Sequence, residues 1–165
     1  MTLPAATTPP TSSDVELLAF ASSAELAARD LYLVAVEMST FTSEEQAVLV
    51  GFHDHHRAAG QALAGLVGKA ATNVREDSVY NAFRGRLMGA NKSDVLNSLR
   101  ELENTLVATH VSLVGALDGT AGSAMVASIL TIQARQAAIL ALLAGGSLNE
   151  ALTNDAVSVA PGANG

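Results

Sequence analysis

"ILTIQARQAAILALLAGG", Ile129 to Gly146, sets two glutamines, Gln133 and Gln136, into an otherwise aliphatic run. Val126, Ile129, Gln133, Gln136, Leu140 and Leu143 follow one another at helical spacing, so they share one helix face. A stripe that is apolar except at its middle predicts a core-facing helix carrying a polar layer. Three other segments have the same pattern. One stripe reads Leu18, Ala21, Glu25, Ala28, Tyr32, Ala35; a second, after Val48 or Leu49, reads Phe52, His56, Ala59, Leu63, Leu66; a third reads Leu96, Leu99, Glu103, Leu106, His110, Leu113, Leu117.

The halves correspond. A shift of 77 or 78 residues lays Glu25 on Glu103, Tyr32 on His110, His56 on Gln133, Ala59 on Gln136, Leu63 on Leu140 and Gly68 on Gly145. The spacing predicts an internal helix-hairpin repeat. Gln133 and Gln136 then face a shared interior with Glu25, Glu103 and His56, and Tyr32 and His110 lie two turns along.

The boundaries come from capping signals. The first long helix opens in "TSSDVELL", with Ser and Asp available as caps, and runs to about Ser39. The second opens on a capping box at Thr42 and Glu45 and ends near Gly68. The third starts around "KSDVLNSL" and stops at "DGT"; the fourth runs from about Gly122 to the glycines at 145–146. Each helix would be roughly 30–39 Å long. Tight turns join the first helix to the second and the third to the fourth. Residues 69–92 form a long crossover with a short amphipathic piece at "SVYNAFRGRL". The expected fold is all-α, a four-helix bundle of two hairpins and one crossover over residues 13–146. A flexible Thr/Pro-rich tail at 1–12 would precede it, and a short helix with a polar tail at 147–165 would follow.

Composition narrows the functions. Two Tyr, four Phe and no Trp leave the core to Ala, Leu and Val. A net charge of −7 argues against wrapping a nucleic acid. The absence of cysteine removes disulfides, thiolate metal sites and Cys nucleophiles. "MTLPAATTPPTSSD" has neither a basic start nor an apolar run, so no signal peptide is read there. That predicts a cytoplasmic chain, or an exported one if a signal has been removed. Between Gly119 and Asn149 the only formal charge is Arg135, yet Gln133, Arg135 and Gln136 fall mid-stretch, which argues against a membrane span. No phosphate loop or nucleophile elbow is present, and no catalytic residue is assigned.

These stripes, with phrases such as "LENTLVATHVSLV" and "QARQAAILALLAG", resemble the ferritin-like superfamily, particularly bacterial ferritin-like domains of the desiccation-related kind. The resemblance implies an inward Glu on the first and third helices, commonly with a Tyr seven residues on. It also implies a Glu-x-x-His pair on the second and fourth, the whole set holding two metal ions. Glu25 and Glu103 keep their places, but the pairs read His56-x-x-Ala59 and Gln133-x-x-Gln136. A second register, His53-x-x-His56 in "FHDHHR", would keep two imidazoles. Amides are weak, neutral ligands that do not bridge metals as carboxylates do, so the resemblance implies a degenerate di-metal centre without ferroxidase activity.

Two buried carboxylates still need compensation, because unit charges ~4 Å apart at an effective dielectric near ~20 repel by about 4 kcal/mol. A protonated His56, a proton shared by the carboxyls or a metal ion would supply it. The expected cofactor is therefore none, or a single Fe, Mn or Zn held by Glu25, His56 and Glu103 with a glutamine or water. His53 and His55 are expected at solvent or the helix edge, and an apolar ligand or haem in the interior finds little support from Met38, Met88 and the histidines. Arg75, Arg84, Arg86, Lys69 and Lys92 make the crossover basic, as a solvated connection or as a dock for an acidic partner surface. Small uncharged faces at Ala127, Ser128, Thr131, Ala134, Ala138 and Ala141, and at Ala58, Gln61, Ala62 and Gly65, predict a homodimer or larger homo-oligomer.

Overall fold

The computed structural model describes residues 7–89 and 91–162, where all regular structure is helical. Four long helices dominate: α1 (Ser12–Val36), α2 (Ser43–Val67), α4 (Lys92–Ala116) and α5 (Thr120–Leu143). Two shorter ones, α3 (Asp77–Leu87) and α6 (Leu148–Leu152), bring the described α-helices to six. α1 packs chiefly on α2 and α4 chiefly on α5, while α1 meets α4 and α2 meets α5 along narrower contacts.

The apolar interior is divided in two. One cluster gathers Leu31, Tyr32, Phe52, Phe83, Leu96 and Leu99. The other gathers Leu18, Leu63, Leu113, Leu117, Val126 and Ile129. Among these apolar residues, one on each of the four long helices, are the buried polar residues Glu25, His56, Glu103 and Gln133. α5 is also the one helix among the described residues long and apolar enough to cross a membrane, and it carries two buried glutamines, Gln133 and Gln136.

The caps explain where the helices begin. α2 opens on the expected box, Thr42 Oγ1 accepting from the Glu45 N–H at 3.2 Å and Glu45 Oε2 from the Thr42 N–H at 2.8 Å. It ends at Gly68 with φ 65°, a backbone that side chains disfavour. α1 is capped by Thr11 rather than by a serine, with Asp14 as the reciprocal partner. Asp14 belongs to a larger device. Its Oδ1 accepts from the Asp118 N–H and its Oδ2 from the Gly119 N–H, both at 2.9 Å, so it clamps the turn between α4 and α5. The Thr11, Asp118 and Gly119 amides hold its carboxyl below the ordinary 3.8. α5 starts at Thr120, two residues before the sequence expectation, because the clamped turn already presents Gly119 as its cap.

Of the expected N-terminal tail, residues 1–6 fall outside the described residues; Thr8 donates its N–H to Thr120 Oγ1 at 2.8 Å. At the other end, Val159 donates to Thr109 Oγ1 at 3.0 Å and Asn154 to the Asn104 carbonyl at 3.1 Å, laying the last segment along α4. The basic crossover is tied down as well. Arg75 pairs with Asp30 and Asp77, Arg86 with Glu101, and Lys92 with Glu45. These exposed pairs are individually worth little, but they consume cations that would otherwise greet an acidic partner.

Asp14→Ala should lower the melting temperature by several degrees while leaving the helical circular dichroism of the folded state intact. Gly119→Ala should be at least as damaging, since its Cβ would sit 2.7 Å from the Pro9 carbonyl oxygen. Thermal melts of both variants check this; wild-type melting of either would show the clamp to be dispensable.

Candidate functional site: the buried polar layer

Glu25 reaches the interior because α1 and α2 approach closely at Gly60. A Cβ there would lie 3.3 Å from Leu26 Cδ2 and 3.5 Å from Glu25 Cβ. That approach sets the Glu25 carboxylate beside His56. His56 Nδ1 lies 2.8 Å from Glu25 Oε2, and His56 Nε2 lies 2.9 Å from Glu103 Oε1. One ring thus links α1, α2 and α4. With both carboxyls ionised, each ring nitrogen donates its proton and His56 is an imidazolium.

Burial alone would depress the His56 pKa from its ordinary 6.5, but the charge and hydrogen bonds of Glu103, then of Glu25, overturn this and raise it to about 10. Burial likewise works to raise Glu25. The hydrogen bond and charge of His56, with His110 and Gln133, outweigh it and leave Glu25 below its ordinary 4.5.

The remaining residues orient these groups. The Tyr32 hydroxyl donates to Glu103 Oε1 at 2.5 Å, and its ring stacks on His56 with centroids 5.1 Å apart. Burial first, then the Glu103 charge, drives the Tyr32 phenol well above 10. Gln133 donates from Nε2 to Glu25 Oε1 at 2.8 Å and accepts from His110 Nδ1 at 2.8 Å. His110 Nε2 stands 3.4 Å from the same Glu25 oxygen without a hydrogen bond. Each residue seven positions after a Glu therefore serves the other hairpin's Glu: Tyr32 meets Glu103, and His110 meets Glu25.

Gln136 departs from the expectation. It is buried, but its Nε2 lies 3.0 Å from Nδ1 of the exposed His55, so it points to the rim and not to the carboxylates. His55 is the residue that sequence reasoning left at the helix edge, and only the α2–α5 approach reveals its partner. His53 is half-buried and lies 3.1 Å from the neighbouring Asp54, away from the layer, so the His53-x-x-His56 register is not the one used.

This donor set does not match the metal centre that the resemblance implies. The two carboxylates contact opposite nitrogens of one ring, so that ring lies between them instead of converging with them on a common point. Among the described residues, no group of three or more His, Asp or Glu is arranged to hold an ion. What the arrangement does chemically is neutralise: a proton on His56 supplies the positive charge that two buried carboxylates demand.

Stability should follow that proton. The His56 contribution, of the order of a few kcal/mol, is fully present below about 6.5 and is lost as pH rises toward about 10. The Tyr32 contribution is present below 10 and is lost at higher pH, as the phenol ionises. The Glu25 contribution is present above 4.5 and disappears as pH falls through its lowered value. Urea melts across the pH range should therefore peak between about 4.5 and 6.5 and decline on the alkaline side. His56→Leu, which leaves buried carboxylates uncompensated, should cost ~3–5 kcal/mol and flatten that decline. A wild-type stability that stays level up to pH 10 would contradict the assignment.

Comparison with known families agrees with this architecture: the model of the ferritin-like domain matches residues 13–146. Neither the curated proteins nor the solved structures offer a match. With most of its length covered, and with Glu25, His56, Glu103 and Gln133 all inside the matched span, the chain belongs to the ferritin-like domain family.

Proposed function

We propose that this chain is a structural, self-assembling member of the family whose polar core works without a metal, and that it is not a ferroxidase. The observation that carries the reading is the position of His56, its ring nitrogens 2.8 and 2.9 Å from two buried carboxylates that would otherwise repel. The Tyr32–Glu103 and His110–Glu25 exchange supports a two-hairpin bundle built on an internal repeat, with α3 carried in the crossover. The ancestral ligand positions now hold Gln133, Gln136 and Ala59, which preserve shape and hydrogen bonding but no charge.

A second reading rests on two buried atoms without partners, Glu103 Oε2 and His110 Nε2. A single Fe, Mn or Zn could engage Glu103, Glu25 and a deprotonated, reoriented His56. The experiment for both readings is elemental analysis after incubation with each ion, paired with thermal melts in the presence and absence of chelator. The expected result is no stoichiometric metal and no effect of chelator. One metal per chain, abolished by Glu103→Ala, with a melt that falls on chelation, would establish the second reading; two irons with rapid turnover would overturn both.

Assembly is supported by the outer side of α5, where Ser128, Thr131, Ala134, Ile139 and Leu142 are exposed and Arg135 is the one charge of the helix. Ala141, expected on that side, is buried and belongs to the core. The exposed small residues let a second helix approach closely, as an isologous dimer through α5 and the neighbouring α2 requires. Light scattering at micromolar concentration should find a dimer or larger species, and Ala138→Glu should dissociate it with helicity retained. A wild-type monomer would defeat the assembly reading.

A further inference from the structure

Residues 153–159, which follow α6 without regular structure, form a strap across α4 that is pinned at its two ends. Just before it, Arg100 Nη2 donates to the Glu150 carbonyl, and at its start Asn154 Nδ2 donates to the Asn104 carbonyl at 3.1 Å. Five residues on, the Val159 N–H donates to Thr109 Oγ1 at 3.0 Å. Thr109 gives its own proton to the Thr105 carbonyl at 2.7 Å, so towards the strap its oxygen can only accept. A helix carbonyl keeps a second lone pair, so Asn104 takes the amide without losing its place in α4. These pins read main-chain groups and one carboxamide, and they ask nothing of the other side chains.

Between the pins the strap stands off the helix. Among the described residues no hydrogen bond joins residues 155–158 to α4, and the Ala156 N–H turns back to Asn154 Oδ1 at 3.0 Å. A cleft of about 610 Å³ lies beneath, walled by Asn97, Glu101 and Thr105 of α4 and by Ala156 and Val157 of the strap. Val157 is 82% exposed, and the half-buried Ala156 offers the cleft only a methyl group. Val159 alone packs on an apolar cluster of the bundle. A segment with so few buried apolar contacts opens locally at small cost.

We propose that this side of α4 is a docking site for an extended peptide segment of a partner protein, and that the strap is its built-in competitor. The segment that fits repeats what the strap shows and adds what it lacks. It carries an Asn or Gln carboxamide for the Asn104 carbonyl and, five residues later, a main-chain N–H for Thr109 Oγ1. Between them a bulky apolar side chain takes the place of the Ala156 methyl. Main-chain bonds then supply part of the affinity, and the filled cleft supplies the specificity. The tethered strap competes at an effective concentration of the order of millimolar, so it turns away weak ligands and yields to one that fills the cleft. The site uses α4 and not the α5–α2 surface, so it does not rest on the self-assembly reading.

The test uses the full chain and a fluorescent peptide of residues 150–161 carrying Ala156→Leu. Binding is followed by anisotropy and by NMR shifts of the Asn104 and Thr109 amides, with light scattering on the same samples. Val159→Pro removes the N–H that pins the strap, and this opened variant should bind the peptide at least about tenfold more tightly than the wild type. Adding Thr109→Val, which keeps the shape and removes the acceptor, should cancel most of that gain. Ala156→Leu within the chain should fill the cleft in cis, raise the melting temperature and weaken peptide binding. If Val159→Pro does not melt cooperatively, Asn154→Ala opens the strap from its other end. Equal affinity of the wild type and the opened variant, affinity indifferent to Thr109→Val, or no saturable binding to the opened variant would overturn the proposal. So would a strap that lies on a second copy, read as a fall in mass on Val159→Pro. A wild-type monomer that still shows the competition would defeat self-assembly and uphold the strap.

Discussion

Two carboxylates, one from each hairpin, are buried within reach of the same imidazole, and the rest of the structure is arranged around that constraint. Burying a pair of like charges is unfavourable unless a positive group is enclosed with them. His56 provides it, with its ring nitrogens divided between α1 and α4, while Gln133 closes the layer from α5. All four long helices therefore meet in one polar contact between two apolar clusters. A slip of any helix by one turn would leave a charge facing leucine, so the layer fixes register where an all-alanine and leucine interior would tolerate several packings.

The proposed metal-free reading rests on a difference in geometry between two ways of compensating buried charge. A divalent ion attracts ligands to a point, whereas an imidazolium holds two carboxylates on opposite edges of a plane. Here Tyr32 stacks on the ring and bonds Glu103, and Gln133 links His110 to Glu25. Glu103 takes its bonds from Tyr32 and His56 of the other hairpin, while Glu25 takes one from His56 of its own and one from Gln133 of the other.

Much of this was legible in the residues. Glu25, Glu103, His56 and Gln133 interrupt apolar stripes at matching positions, and helical periodicity alone places them inward. The capping box at Thr42 and Glu45 follows from local spacing, and so does the Gly68 stop. What periodicity does not carry is the direction of a side chain at the edge of a stripe. Gln136 lies on the inward face but turns to His55, since its end of α5 faces the gap beside α2 and not the carboxylates. Ala141 was placed outside for the same reason: a helix drifts past its neighbour, and a residue on the shoulder of the stripe ends in the core. The Asp14 clamp was invisible for another reason. It joins residues 104 and 105 apart in the chain, and a capping aspartate looks the same in sequence whether or not a distant turn lies on it.

That clamp has a consequence for the order of folding. Each hairpin closes over a short turn and gains its contacts locally, so both can form early and at small entropic cost. Asp14 can reach the Asp118 and Gly119 amides only once α1 has docked beside the second hairpin. Its bonds are then absent from any state in which the hairpins are formed but separate. They act as a latch: they do little to hasten assembly of the bundle, and they lengthen the life of the native state once it has closed.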